Sequence, residues 1–202
     1  MSAKRILSPR VPAAPASTSG RILAAAERLF AEHGYRSVSM PMIAKASGIT
    51  AGAIYRHFDS KEELFFEAVA ERSIEAIQLP TEGPSDAVEE LARIVAAYTE
   101  QRLKLLRQLA VEIHSASVHN SKVRRLLSQS LDHNVGQIRE IIDGAQRTGK
   151  IDRSANSDFL ARALMVFIMG LMHMETLLPK FVGDPAWSNF VRQRVLALLG
   201  CV

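Results

Sequence analysis

Thr50, Tyr55, Arg56 and His57 flank a run of small residues, Ala51, Gly52 and Ala53. A hydroxyl, a phenol, a guanidinium and an imidazole can all donate hydrogen bonds to phosphate oxygens or base edges, and small neighbours let a helix come close to what it touches. The stretch around them, SMPMIAKASGITAGAIYRHFDSK over 39–61, carries the turn chemistry needed to present such a row. Ser39 is expected to cap a first short helix by accepting a backbone N–H, and Pro41 is tolerated in that helix's first turn. Gly48 ends it, and Thr50 caps a second helix. Ile43, Ile49, Ile54 and Phe58 then face inward, and Ala44 lets the two helices cross closely. The spacing predicts a helix-turn-helix whose second helix enters a DNA major groove. Thr50 and Arg56 are the candidates for base contacts. Ala51 and Gly52 allow close approach, and Ser39, Tyr55, His57 and Lys61 are placed to hold phosphates.

Other chemistry is poorly provided for. No convergent nucleophile, base and stabiliser stands out, and no glycine-rich loop is built to cradle a phosphate, so an enzyme is not expected and no cofactor is implied. Cys201 is the only cysteine, which leaves no disulfide framework or thiolate cluster and makes a reducing cytoplasm the natural compartment. His114 and His119 are five residues apart and so stand about 140° from each other around a helix, whereas helical metal pairs use spacings of three or four. No metal site is expected. Met165, Met169 and Met172 follow helical spacing, with His173 and Glu175 beside them in an otherwise apolar run. They either pack a core or line a cavity for an apolar or aromatic compound, with Glu112, His114 and His173 as possible polar hooks.

The elements that must position these residues are helical throughout. The net charge is +4, yet residues 1–61 hold nine Lys and Arg against three Asp and Glu, so the electrostatic footprint for a polyanion lies in the first third. Residues 1–16 read as a flexible arm whose Lys4, Arg5 and Arg10 are either a plain tail or a reach toward DNA. Residues 17–78 form the helix-turn-helix domain with a connecting helix. Its first helix spans Thr18 to His33 and stops at Gly34, and its fourth opens on a Ser60–Glu63 capping box and runs to Ile77. Leu79 to Ser85 reads as the boundary, and residues 79–202 as a second helical domain, with helices at 86–100, 101–118, 121–148, 155–177 and 185–200. Phe159 to Leu178 approaches the length of a membrane span, but Arg162, His173 and Glu175 make it a buried protein helix.

From Ile22 to Val69 the chain resembles the TetR/AcrR family of bacterial one-component transcriptional regulators. The resemblance rests on Gly34 after the first helix, the Ala-Ser-Gly-Ile turn, the Tyr-Arg-His-Phe end of the second motif helix and the Ser-Lys-Glu-Glu-Leu opening of the fourth. Ala53 departs from it, since the family usually places Thr or Ser there. The resemblance implies an all-α protein, with an N-terminal three-helix DNA-binding domain and a C-terminal helical domain that binds ligand and dimerises. It also implies a repressor that holds a near-palindromic double-stranded operator as a homodimer and is released by a small-molecule effector. The dimer is expected on Leu164, Ile168 and Leu171 of one helix and Trp187, Phe190, Val191, Val195 and Leu198 of another. The rival reading is a helical small-molecule-binding protein or enzyme that keeps a helix-turn-helix as a packing unit.

Overall fold

The computed structural model describes residues 17–76 and 86–200. The expected arm at 1–16, the boundary at 79–85, Ile77 and Cys201 lie outside the described residues. Among those described, every regular element is helical: α1 (Thr18–Ser37), α2 (Met40–Ser47), α3 (Ala51–Ile54), α4 (Lys61–Ala76), α5 (Ala87–Ala97), α6 (Lys104–His119), α7 (Ser121–Arg147), α8 (Ser157–Leu171), α9 (Met174–Leu177) and α10 (Pro185–Leu198). None of them is long and apolar enough to cross a membrane. The described chain divides into two compact units. The first reaches Glu75 and takes in Gln108–Gln129, and the second takes Ala76 to Arg107 and the chain from Ser130 on.

In the first unit, Ser17 starts α1 by accepting the Gly20 N–H at 3.0 Å. Gly34 breaks the helix with φ 75° and ψ 156°, a conformation open to glycine because it lacks a Cβ. The expected stop at that residue is therefore a kink, after which α1 runs on to Ser37. Ile22, Ala26 and Phe30 recur on one face and are fully buried, as are Ile43, Ile54, Phe58, Leu64 and Phe65 from the other helices. The Phe30 ring lies 4.6 Å from Phe65, and Tyr35 stacks on Phe65 at 4.9 Å. Each such phenylalanine or isoleucine, removed from water, contributes roughly 1.5–3 kcal/mol. At the start of α4 the Ser60 hydroxyl accepts the Glu63 N–H at 3.2 Å, while the Glu63 carboxylate reaches the Asp59 N–H at 2.8 Å. The expected capping box is thus present with its return bond shifted by one residue.

In the second unit, α5 packs against α10: Val88, Leu91, Ala92 and Val95 are buried on one, Val191 and Val195 on the other. Arg192 pairs with Glu89 across them. Asp86 opens α5 by accepting the Val88 N–H, and Asp184 opens α10 by accepting from Ala186. Two expectations need correction. The helix expected over 86–100 ends at Ala97, and a 3-10 turn at Gln101–Leu103 leads into α6. The helix expected over 155–177 breaks at Met172 and His173, because His173 leaves helical geometry (φ −98°, ψ 7°) and α9 restarts for a single turn.

Candidate nucleic-acid interface

Two short helices, α2 and α3, joined through a left-handed glycine make the site. Gly48 adopts φ 67° and ψ 32°, and the N–H groups of Gly48 and Ile49 return to Lys45 and Ala44 at 3.4 and 3.0 Å. This crossed pair of bonds is the usual way a glycine satisfies the last carbonyls of a helix. The Ser47 carbonyl is taken instead by Arg21 of α1, whose Nη2 donates at 2.8 Å. Ser47 itself is buried and donates to the Ile43 carbonyl. The start of α2 differs from expectation. Ser39 has the extended backbone of a cap, but its side chain makes no capping bond and stays exposed.

Thr50 caps α3 as expected, with its Oγ1 accepting the Ala53 N–H at 3.3 Å. The turn continues past α3, since Phe58 N–H donates to the Ile54 carbonyl at 3.0 Å. Ile54 and Phe58 are fully buried, which fixes the opposite side outward. Thr50, Gly52, Tyr55, Arg56 and His57 are exposed there, and Ala51 and Ala53 are half-buried at the edge. Lys61 is more constrained. Its Nζ donates to the Val38 carbonyl at 2.7 Å and sits 4.2 Å from the Tyr35 ring centre. Burial pushes this ammonium's pKa down, and the nearby Glu62 carboxylate acts in the opposite sense. On α2, Met42 and Lys45 share the solvent-facing side. Neither was a candidate from the sequence, although the inward positions Ile43, Ala44 and Ser47 leave Lys45 outside by helical spacing alone.

A helix-turn-helix of this geometry matches the profile described as "Bacterial regulatory proteins, tetR family" over residues 22–68. The repressor AcnR of Corynebacterium glutamicum is 30% identical over 138 residues, covering 62% of this chain and 71% of AcnR. The chain belongs to the TetR family. The regulator UidR of Escherichia coli is 29% identical over 158 residues, 77% of this chain and 80% of UidR. The solved structure of Salmonella enterica GusR superposes with a TM-score of 0.76 at 28% identity, covering 93% of this chain and 100% of GusR. As a TetR-family member the chain is a DNA-binding transcriptional regulator and not an enzyme.

The candidate effector residues fall into both units. Glu112 and His114 belong to the first, and Met165, Met169, Met172 and His173 to the second. Glu112 Oε2 accepts the Tyr35 backbone N–H at 2.8 Å, beside Gly34. Met165 and Met172 are buried, Met169 is half-buried, and His173 Nδ1 lies 2.8 Å from the Met169 carbonyl. Glu175 has the partner that its place in an apolar run demanded. Its Oε1 accepts from Arg107 Nη2 at 2.7 Å and Nε at 3.2 Å, while Arg107 Nη1 donates to the Tyr98 and Glu100 carbonyls. Arg107 is fully buried and was missed. Its position was a signal, since it lies one turn before the buried Ala110 on α6.

Proposed function

We propose that this TetR-family protein is a homodimeric repressor that holds a near-palindromic operator and lets go when a small hydrophobic or aromatic effector binds. The observation that carries the reading is the outward row Thr50, Ala51, Gly52, Tyr55, Arg56 and His57, locked from behind by the buried Ile54 and Phe58. Thr50 and Arg56 read bases; Ser39, Tyr55, His57 and Lys61 hold phosphates, with Lys61 keeping donors to spare beyond the Val38 carbonyl. Residues 17–78 serve as the DNA-reading domain and 79–202 as the domain that binds effector and dimerises, in the cytoplasm. Met165, Met169, Met172 and His173 of the second unit are the residues proposed to meet the effector, whose contacts would be mostly apolar. Glu112 and His114 lie in the first unit, where Glu112 Oε2 accepts the Tyr35 N–H.

Selection of duplexes from a random-sequence pool tests the operator reading. The enriched site should carry two related half-sites about one helical turn or a multiple apart, and affinity should fall steeply with salt. Enrichment of a single unrepeated half-site would defeat the dimeric part. No enrichment at low salt would defeat the whole reading.

A further inference from the structure

Tyr35, just past the Gly34 kink, is tied to the start of α4 and to the corner between α6 and α7. Its hydroxyl donates to Glu62 Oε1 at 2.8 Å. Asn120 Nδ2, from the corner, donates to the same Glu62 oxygen at 3.1 Å and lies 3.4 Å from the Tyr35 hydroxyl. The other end of the Asn120 side chain caps α7, with Oδ1 accepting the N–H groups of Lys122 and Val123 at 3.0 and 3.1 Å. Lys122 Nζ then donates to Ser60 Oγ at 2.6 Å, the hydroxyl that caps α4. Glu112 of α6 completes the tie by accepting the Tyr35 backbone N–H.

These bonds fall on Ser60 and Glu62, the neighbours of Lys61, and on Tyr35, the ring beneath its ammonium. Asn120 serves both helix starts at once, so α7 and α4 cannot separate without breaking either a cap or a charge-assisted bond. Burial acts to raise the Glu62 carboxyl, but donors from its own backbone, Tyr35, Asn120 and Ser60 hold it below its usual 4.5, so the cluster is built around the carboxylate form. Fully satisfied polar networks of this kind fix one geometry where apolar packing alone would tolerate several.

We infer that Asn120 and Lys122 are positioning residues for DNA recognition, a polar latch through which the α6–α7 corner sets the orientation of the α4 start and of Lys61. The inference rests on the operator reading above. It adds a route to the DNA-binding residues that does not pass along α4.

Asn120→Asp tests it cleanly. Aspartate keeps the oxygen that caps α7 but replaces the amide donor with a second carboxylate facing Glu62. The affinity of this variant for a duplex selected by the wild-type protein should fall by about tenfold, within the range typical of coupled sites, at a temperature where circular dichroism shows both proteins fully folded. Adding Glu62→Gln reverses donor and acceptor, and should restore affinity to within roughly threefold of wild type. Wild-type affinity in Asn120→Asp, or no recovery in the double variant, overturns the latch. Should Asn120→Asp fail to fold, Tyr35→Phe decides, because it deletes one hydroxyl and keeps the ring: weaker duplex binding supports the latch and unchanged binding overturns it. A wild-type protein that enriches no duplex defeats the operator reading itself, whereas equal binding by wild type and variants defeats only the latch.

Discussion

At Gly52 an added Cβ would meet nothing within 4 Å, and the residue's φ is not positive, so the fold itself makes no demand for glycine there. Glycine in a helix is less stable than alanine by about 1 kcal/mol. Gly52→Ala is expected to raise stability by up to that amount and, on the proposed operator reading, to weaken operator binding, because the methyl would stand where DNA is proposed to approach. Thermal unfolding and duplex titration on the same sample check both halves, and unchanged binding would remove Gly52 from the interface. Arg56→Ala should weaken operator binding by roughly 1–3 kcal/mol if the guanidinium reads a base, with random duplex far less affected. An equal loss on both duplexes would assign it to a phosphate. Arg107 behaves differently, being buried against Glu175 with no role in DNA contact. Glu175→Ala leaves that guanidinium without its counter-charge and should destabilise the fold by about 3 kcal/mol, measured by chemical denaturation. The outward row of the motif was legible because turn residues and apolar spacing agree there. Arg107 was not, because a charge on an apolar helix face declares a need for a partner without saying that Glu175, 68 residues on, supplies it.

Among the elements, the helices whose ends carry side-chain caps were the easiest to place from sequence. Thr50 and Ser60 both accept the bond expected of them, and Gly48 takes the left-handed conformation. Ser39 fails as a cap even though its residue type is right, since a hydroxyl's identity does not fix its rotamer. The break at Met172 and His173 was hidden for a related reason: the apolar run continues through it, and hydropathy does not report backbone dihedrals. The opening of α4 also yields a pH dependence. Glu62 has a folded pKa below its unfolded value, so its hydrogen bonds contribute stability above about pH 4.5 that is lost as pH falls through the lower folded value. Glu62→Gln should flatten the acid limb of the stability curve relative to wild type. Parallel curves for the two proteins between neutral pH and acid unfolding would show that the carboxylate contributes nothing there.

For the whole molecule, the outstanding question is what covers the apolar surface of the second unit. Of the stripe expected to make a dimer, Leu164, Ile168, Leu171, Val191 and Val195 are buried within a single chain. A helix apolar nearly all round cannot reveal from sequence which stripe meets its own core. The opposite face of α8 exposes Phe159, Ala163, Val166 and Gly170, at alternating spacings of four and three, and Phe159 and Val166 are 70% and 71% exposed. On α10, Phe190 and Leu198 are also exposed. Spacing of this kind forms a straight seam along a helix, and its small members allow a second helix to come close. A two-fold axis through such a seam would pair two recognition helices from two chains, as a repeated half-site requires. Val166→Glu places a charge in the middle of the seam without touching the chain's own core, so the single chain should stay folded. Sedimentation at micromolar concentration is expected to show a dimer for the wild type and a monomer for Val166→Glu, with operator affinity of the variant reduced toward that of one half-site. A variant that remains dimeric and binds as the wild type does would place the interface on another face.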